Sequence, residues 1–165
     1  MNLAQKKILI FSYYWPPAGG SGVQRWMYFA KYLKQLGYEP IIITVDETKA
    51  SYPVIDPSLI KETNEIRVIK TSTREPLRWY SILISGDTKK GIPQGEVKTR
   101  NLFEKLLAFI RGNYFIPDAR KGWIPFAVKE AKKILKAERI EKLITTGPPH
   151  STHLVGLKLK KQFDL

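Results

Sequence analysis

Three glycines stand within four residues near the start of the chain, at Gly19, Gly20 and Gly22, with Ser21 between them. They follow an apolar, β-prone run and precede residues whose apolar members recur at helical spacing. A glycine loop between a strand and a helix offers backbone amides beside the positive end of the helix dipole, where many α/β proteins receive phosphates. The four residues are therefore a candidate phosphate-binding loop, and a tight turn without a ligand is the alternative.

This loop matches neither of the two common phosphate-binding motifs. A dinucleotide fingerprint that began at Gly20 would need a glycine at position 25, where Arg25 stands, and no Gly-Lys-Ser/Thr sequence follows the glycines as in a P-loop. Arg25 lies one turn into the predicted helix. It could contact a phosphate or an acceptor carboxylate bidentately, and an ordinary exposed arginine is the alternative.

The only two histidines, His150 and His153, follow the sequence TGPP. His150 is predicted at the carboxyl end of a strand, the edge of a parallel sheet at which ligands bind. It could donate a hydrogen bond to a hydroxyl group, which makes it the candidate catalytic residue; a loop or capping role is the alternative. Ser151 is a plausible helix N-cap. No carboxylate pair accompanies the histidines, so we predict no metal site.

Alternating strands and helices must position these residues. The alternation predicts an α/β domain, a Rossmann-like three-layer αβα arrangement around a central parallel sheet. The segment 71–100 is partly basic and aromatic and then rich in glycine and charge, so we predict a mobile insertion loop there. Strands are predicted near residues 7–13, 39–44, 66–70 and 142–146, and helices near 23–36, 57–62, 102–111, 124–137 and 151–162.

Length and composition indicate one domain spanning residues 1–165. No apolar run approaches the ~20 residues of a membrane helix. A signal peptide is not recognisable, and the chain has no cysteine, so we expect a cytoplasmic protein. The formal net charge of +13 suggests an anionic partner: nucleic acid, an anionic membrane surface or a phosphorylated substrate. No nucleic-acid-binding motif is visible, and lysines that merely solvate helix faces are the alternative.

Cationic and aromatic residues are interleaved at Arg74, Arg78, Trp79 and Tyr80. This mixture is typical of membrane interfaces, and we predict that these residues face a membrane. A surface for a protein partner, or an ordinary amphipathic turn, would give the same pattern.

Two stretches carry a resemblance to a known family. FSYYWPPAGGSGVQRWMYFAKYLKQLGYEPIIIT resembles the amino-terminal half of GT-B glycosyltransferases of the family 4 type. PDARKGWIPFAVKEAKKIL, followed by LITTGPPHSTHLVGLKLKK, is similar to the second half of the same domain in bacterial members. The matches cover the first and last thirds of the chain, and the middle, about 47–104, matches nothing specific.

The resemblance implies transfer of a sugar from a nucleotide diphosphate sugar to an acceptor hydroxyl, without a further cofactor, often in cell-surface polysaccharide synthesis at the inner membrane. It places the glycine loop near the donor diphosphate and His150 near the acceptor or donor sugar. An aromatic at the end of the first strand, Tyr14 or Trp15, could stack on a sugar ring. Arg120 and Trp123 are assigned to acceptor binding by resemblance alone; a loop anchored by Trp123 and an Asp–Arg pair is the alternative.

Family members are roughly twice as long and hold most of the sugar nucleotide in a second Rossmann-like domain. Their E-x7-E signature is absent here, so we expect this chain to be the acceptor-side domain of a longer enzyme, inactive by itself. The expected partners are a nucleotide sugar, a glycan or lipid-linked acceptor and an anionic membrane surface, with no nucleic acid. Two alternatives remain: a Rossmann-type nucleotide-binding protein, in which Asp46 would hold a ribose, and a basic nucleic-acid-binding domain.

Overall fold

The computed structural model describes residues 6–50, 52–74 and 116–163. In chain order the elements are β1 (Lys6–Phe11), α1 (Ser21–Gln35), β2 (Tyr38–Val45), a 3-10 helix (Pro57–Thr63), β3 (Arg67–Thr71), a 3-10 turn (Lys121–Trp123), α2 (Ile124–Ala137), β4 (Lys142–Thr145) and α3 (Ser151–Lys160). Strands and helices therefore alternate as predicted. The predicted helix at 102–111 and most of the predicted loop at 71–100 lie outside the described residues, and Thr71 itself ends β3.

The four strands form one parallel sheet in the order β3-β2-β1-β4. Leu9 of β1 lies opposite Ile41 of β2 and Leu143 of β4, and Ile42 lies opposite Val68 of β3. The prediction of an α/β fold with a parallel sheet, and with the first strand in its interior, is confirmed.

Alternate residues of the strands belong to two separate apolar clusters, because successive side chains of a strand point to opposite faces. One cluster joins residues such as Leu9, Phe11 and Ile43 to α2 and α3. The other joins Ile10 and Ile42, among others, to α1. The two central strands are therefore apolar on both faces, as the unbroken apolar runs in β1 and β2 indicate.

The ends of two elements differ from the prediction. β1 ends at Phe11 rather than near residue 13, because the chain turns there: the Ser12 hydroxyl donates to the carbonyl of Tyr14. α1 begins at Ser21, two residues before the first predicted apolar position. The left-handed turn expected after this helix is present, since Gly37 has φ +85°.

Charged side chains hold together the amino ends of the strands. The Glu138 carboxylate, at the end of α2, accepts from Lys7 Nζ at 2.7 Å and from the Arg67 guanidinium at 2.8 and 3.0 Å. These hydrogen bonds, from Arg67 first and then Lys7, lower the pKa of Glu138 to about 2. Glu39 adds longer ion pairs to the same two cations. Among the described residues, no helix is long and apolar enough to cross a membrane.

Candidate functional site

The three glycines of the loop after β1 have three different surroundings. A Cβ on Gly19 would lie 2.9 Å from Val54 Cγ1, and the Gly19 amide donates to the Val54 carbonyl. Gly20 has φ +103°, a backbone conformation that is strained for a residue with a side chain. A Cβ on Gly20 or Gly22 would meet no atom of the described residues within 4 Å. Packing therefore explains Gly19 and backbone conformation explains Gly20, whereas neither explains Gly22.

The amino end of α1 is open. Gly20 is its N-cap, no side chain caps it, and its first turn contains no acidic residue. The amides of Val23 and Gln24 bond to the carbonyl of Gly20 inside the helix. Among the described residues, no side chain caps this end of the helix, so the positive end of its dipole is exposed. Ser21, the first helical residue, is exposed beside it.

Below the loop, hydroxyl side chains join the carboxyl ends of the strands. Thr44 Oγ1 donates to the carbonyl of Tyr13 at 3.1 Å, and Thr71 Oγ1 donates to the carbonyl of Thr44 at 3.0 Å. On the other side of β1, Thr146 Oγ1 approaches Ser12 Oγ at 3.4 Å. Together these bonds link the ends of all four strands.

These hydroxyl residues are all buried. Of the described residues, the buried polar side chains belong to Ser12, Thr44, Thr71 and Thr146, and to Ser151 and Thr152 at the start of α3. Every one lies at the carboxyl edge of the sheet. The sequence could have revealed this only as a hydroxyl near the end of each apolar run, which is a weak signal.

The amino end of α3 is occupied by a carboxylate from a distant part of the chain. Asp118 Oδ2 accepts from the Ser151 amide at 2.7 Å, and its Oδ1 accepts from Ser151 Oγ and from the Arg120 amide, both at 2.8 Å. The prediction that Ser151 is the N-cap is wrong, since His150 takes that position, Ser151 is the first helical residue and its hydroxyl donates to Asp118. This helix end already binds an internal anion, unlike that of α1.

His150 immediately precedes α3 and is exposed. The ring centroids of His150 and His153 lie 6.1 Å apart, and His153 Nδ1 is 2.8 Å from Thr145 Oγ1. A Cβ on Gly147 would lie 2.9 Å from His153 Nε2 and 3.3 Å from His150 Nδ1. His153 therefore packs against the end of β4, and His150 presents its ring to solvent at the carboxyl edge.

The aromatic residues after β1 differ in accessibility. Trp15 is only 1% exposed and belongs to the apolar cluster of α1. Its assignment to acceptor binding is corrected, because a ring covered on all sides cannot stack on a sugar. Tyr14 is half-buried and contacts Tyr13 edge-on at 5.0 Å and Tyr52 at 5.8 Å, so of the two candidates it is the one that keeps an accessible surface.

Trp123 is fully buried, and its Nε1 donates to Thr71 Oγ1 at 2.7 Å. Its ring meets Tyr13 edge-on at 5.4 Å. The assignment of Trp123 to acceptor binding is therefore also corrected: it anchors its loop to the end of β3, as the alternative held. Arg120 is half-buried, with its guanidinium carbon 5.5 Å from the centroid of the Tyr13 ring.

Two further arginines assigned from the sequence are exposed. Arg25 lies on the solvent side of α1. Arg74 stacks over Phe126 at 5.8 Å, and its amide donates to the carbonyl of Gly122. A Cβ on Gly122 would lie 1.8 Å from the Arg74 carbonyl oxygen, so this glycine, which sequence reasoning missed, allows the two segments to touch. The other residues predicted to face a membrane, Arg78, Trp79 and Tyr80, lie outside the described residues.

Asp46, the candidate ribose ligand of the nucleotide-binding alternative, closes a turn. Its Oδ1 accepts from both Thr48 Oγ1 at 2.7 Å and the Thr48 amide at 2.9 Å, and these bonds lower the pKa of Asp46. Within the described ranges, no group of three or more His, Cys, Asp or Glu side chains is placed to hold a metal ion.

Comparisons of the chain with protein family models, with curated proteins and with solved structures found no match.

Proposed function

We propose that this chain is the acceptor-side domain of a GT-B glycosyltransferase of the family 4 type, with the Rossmann-like three-layer arrangement of that half. It helps to move a sugar from a nucleotide diphosphate sugar to an acceptor hydroxyl, in cell-surface polysaccharide synthesis at the cytoplasmic side of a membrane. The loop of residues 19–22 lies against the donor diphosphate, and His150 faces the sugar or the acceptor.

The observation that carries this proposal is the open amino end of α1. Its bare amides and its positive dipole favour a negatively charged group, and no acidic side chain in the first turn repels one. Gly20 and Gly22 leave space for the group to approach the backbone. Because the loop follows β1, it lies at the edge where α/β proteins bind ligands.

His150 fits the same site because β4 is the neighbour of β1 in the sheet. The Thr146 amide donates to the carbonyl of Phe11 at 3.0 Å, so the loops that follow these two strands leave the sheet side by side. In this arrangement His150 donates a hydrogen bond to a hydroxyl of the reacting sugar or acceptor, and the helix end stabilises the leaving diphosphate. Catalysis is then mainly positioning and electrostatic stabilisation.

Two observations weigh against the nucleotide-binding alternative. Hydrogen bonds from Thr48 already engage Oδ1 of Asp46, and the loop lacks the glycine that would take the place of Arg25. The resemblance adds that such enzymes hold the nucleotide mainly with a second domain, so the 165-residue chain should bind it weakly. Weak binding that requires the diphosphate is expected of the glycosyltransferase domain, whereas tight binding is expected of a nucleotide-binding protein.

A titration followed by amide NMR spectra tests the proposal. Uridine and guanosine diphosphates and the matching monophosphates are each added to the chain. The diphosphates should shift the amide signals of residues 20–23, with a dissociation constant on the order of 1 mM, about −4 kcal/mol. The uridine and guanosine diphosphates should behave alike, because the open helix end contacts the phosphates and not the base. The monophosphates should cause much smaller shifts, because they carry less negative charge.

Gly22→Val is the matched variant for this titration, because a side chain there would contact none of the described residues but would enter the space assigned to the diphosphate. It should keep the dispersed spectrum and lose the shifts. Micromolar binding with shifts centred on Asp46 would favour the nucleotide-binding alternative. No shift at residues 20–23 at high diphosphate concentration would remove the support for the proposal.

A further inference from the structure

The solvent side of α1 carries four large apolar side chains. Tyr28 and Phe29 are each 43% exposed, Tyr32 is 59% exposed, and Leu36, at the end of the helix, is 74% exposed. At 3.6 residues per turn these positions fall within an arc of about 100°. We call these four residues the outer stripe.

The helix cannot hide the outer stripe by turning about its axis. Its opposite side carries Val23, Met27 and Ala30, which are buried in the cluster shared with the sheet. Rotation would expose these residues in exchange. A helix that is apolar on two sides is normally covered on both, and an exposed apolar patch marks a surface of interaction.

Basic side chains border the outer stripe. Arg25 is exposed one turn before it, on the same arc, and Lys31 Nζ lies 5.5 Å from the centroid of the Tyr28 ring. The neighbouring 3-10 helix adds Ile60, which is 45% exposed, and Lys61, which is exposed. Basic side chains thus lie before the outer stripe and along one side of it, on a chain with a formal net charge of +13.

We propose that the outer stripe of α1 lies in the interfacial region of an anionic phospholipid membrane, with the helix axis parallel to the surface. Rings of Tyr and Phe suit the boundary between headgroups and acyl chains, and lysine and arginine attract anionic lipids. Lys31 is paired with Glu62 and Lys34 with Glu65, but exposed pairs of this kind are worth little and lipid phosphates can replace the carboxylates.

The shape of the patch favours a lipid surface over a protein partner. A specific protein interface takes about 20–30 residues from each side. The outer stripe is one helix wide, and Lys31 flanks it on one side. A fluid membrane needs no complementary shape, so a narrow aromatic ridge can insert there.

This inference deepens the proposed function, on which it rests for the identity of the acceptor. The outer stripe and the open end at Gly20 belong to the same helix, which the sheet holds in place. A membrane along the outer stripe therefore brings the loop of residues 19–22 close to the surface, where a lipid-linked acceptor would be presented.

The absence of cysteine allows a site-specific test. Tyr32→Cys is labelled with an environment-sensitive dye and mixed with vesicles of phosphatidylcholine, with and without about 30% phosphatidylglycerol. With the anionic vesicles the dye emission should shift to the blue and should be quenched by spin-labelled lipids, and added salt should weaken both effects. Leu157→Cys is the control, since Leu157 is 50% exposed on α3, outside the outer stripe.

A second measurement removes the apolar contacts. The variant Phe29→Ser, Tyr32→Ser, Leu36→Ser should lose about tenfold or more of its co-sedimentation with anionic vesicles, while Leu157→Ser should retain it. If the triple variant does not fold, the labelled Tyr32→Cys protein decides by itself. No dye response at position 32, or an equal response at position 157, would overturn the inference. A blue-shifted dye without lipid, together with a dimer in solution, would instead show that a second copy covers the outer stripe.

These measurements involve no sugar nucleotide. If they fail while the diphosphate titration succeeds, the membrane surface is rejected and the proposed function stands. The reverse result would leave a membrane-binding α/β domain whose loop does not bind diphosphates.

Discussion

Removal of the Asp118 carboxylate should destabilise the domain more than an ordinary capping mutation does. Asp118→Ala deletes three accepted hydrogen bonds, from the Ser151 amide, the Ser151 hydroxyl and the Arg120 amide, with lengths of 2.7, 2.8 and 2.8 Å. Loss of an N-cap costs about 0.5–2 kcal/mol, and hydrogen bonds to a charged group contribute about 1.5–3 kcal/mol. Because the bonds share one carboxylate, these values do not add, and we expect a total of about 2–4 kcal/mol.

The chain offers a matched control in Asp56. This carboxylate also accepts from a backbone amide and a hydroxyl, both of Ser58, at 3.1 and 2.6 Å. However, Asp56 caps a short 3-10 helix at an exposed position two residues away, whereas Asp118 joins segments 33 residues apart. Asp56→Ala should therefore cost only about 0.5–1 kcal/mol, at the lower end of the capping range.

Urea unfolding of both variants, followed by circular dichroism, measures the two losses. In Asp118→Ala the Ser151 amide, the first of α3, is left without its acceptor, so added phosphate should raise the unfolding midpoint of this variant more than that of wild type. A loss for Asp118→Ala no larger than that for Asp56→Ala would refute the reasoning. It would mean that the Ser151 amide finds another acceptor, and that the carboxylate does not hold the helix that follows His150.

Three further results are expected. Hydrogen bonds lower the pKa of Glu138 to about 2, so its contribution to stability is complete above pH ~4.5 and is lost as the pH falls toward 2. In urea unfolding, after allowance for solvent screening, wild type should lose about 1–2 kcal/mol more stability than Glu138→Gln between pH 5 and 2. Equal losses would contradict this. Gly20→Ala should lower the free energy of unfolding by about 1–3 kcal/mol, because φ is +103° there, whereas Gly22→Ala should be neutral or slightly stabilising. Equal thermal melts of the two variants would show that the turn relaxes. Trp123→Phe leaves Thr71 without its buried donor and should cost about 1–3 kcal/mol by calorimetry, while an unchanged melting temperature would show that the bond is dispensable.

The sequence predicted the fold well because its strongest signals are local. Apolar runs define β1 and β2, and helical spacing from Val23 defines α1. Gly37 gives the end of α1 through its positive φ. Each of these features depends on a few neighbouring residues, so no knowledge of the rest of the molecule was needed.

The details of the candidate site were harder to predict because they depend on contacts distant in sequence. Nothing near Ser151 indicates that its cap is Asp118, 33 residues earlier. The sequence does not show which side chains after β1 are buried, because the alternation of side chains along a strand stops where the chain turns at Ser12. As a result Tyr14 and Trp15 were equivalent in the sequence, although only Trp15 is fully buried.

The two edges of the sheet are closed by different chemistry, and the difference bears on the proposed site. At the amino edge, Lys7, Arg67 and Glu138 form ion pairs near solvent. At the carboxyl edge the strand ends are joined by neutral hydroxyls, such as those of Thr44 and Thr71, which are buried and bonded to main-chain carbonyls.

Neutral hydroxyls hold the strand ends without placing a negative charge beneath the glycine loop. Asp46, Asp56 and Asp118, in loops on this side of the sheet, accept hydrogen bonds from backbone amides, which disperse their charge. Asp56 lies nearest the glycine loop, since a Cβ on Gly19 would be 3.2 Å from its Cβ, and Glu47 is paired with Lys70. A carboxylate in the first turn of α1 would instead compete for the amides that a diphosphate needs. The first turn of α1 has no such carboxylate, and the proposed site for an anionic leaving group depends on this.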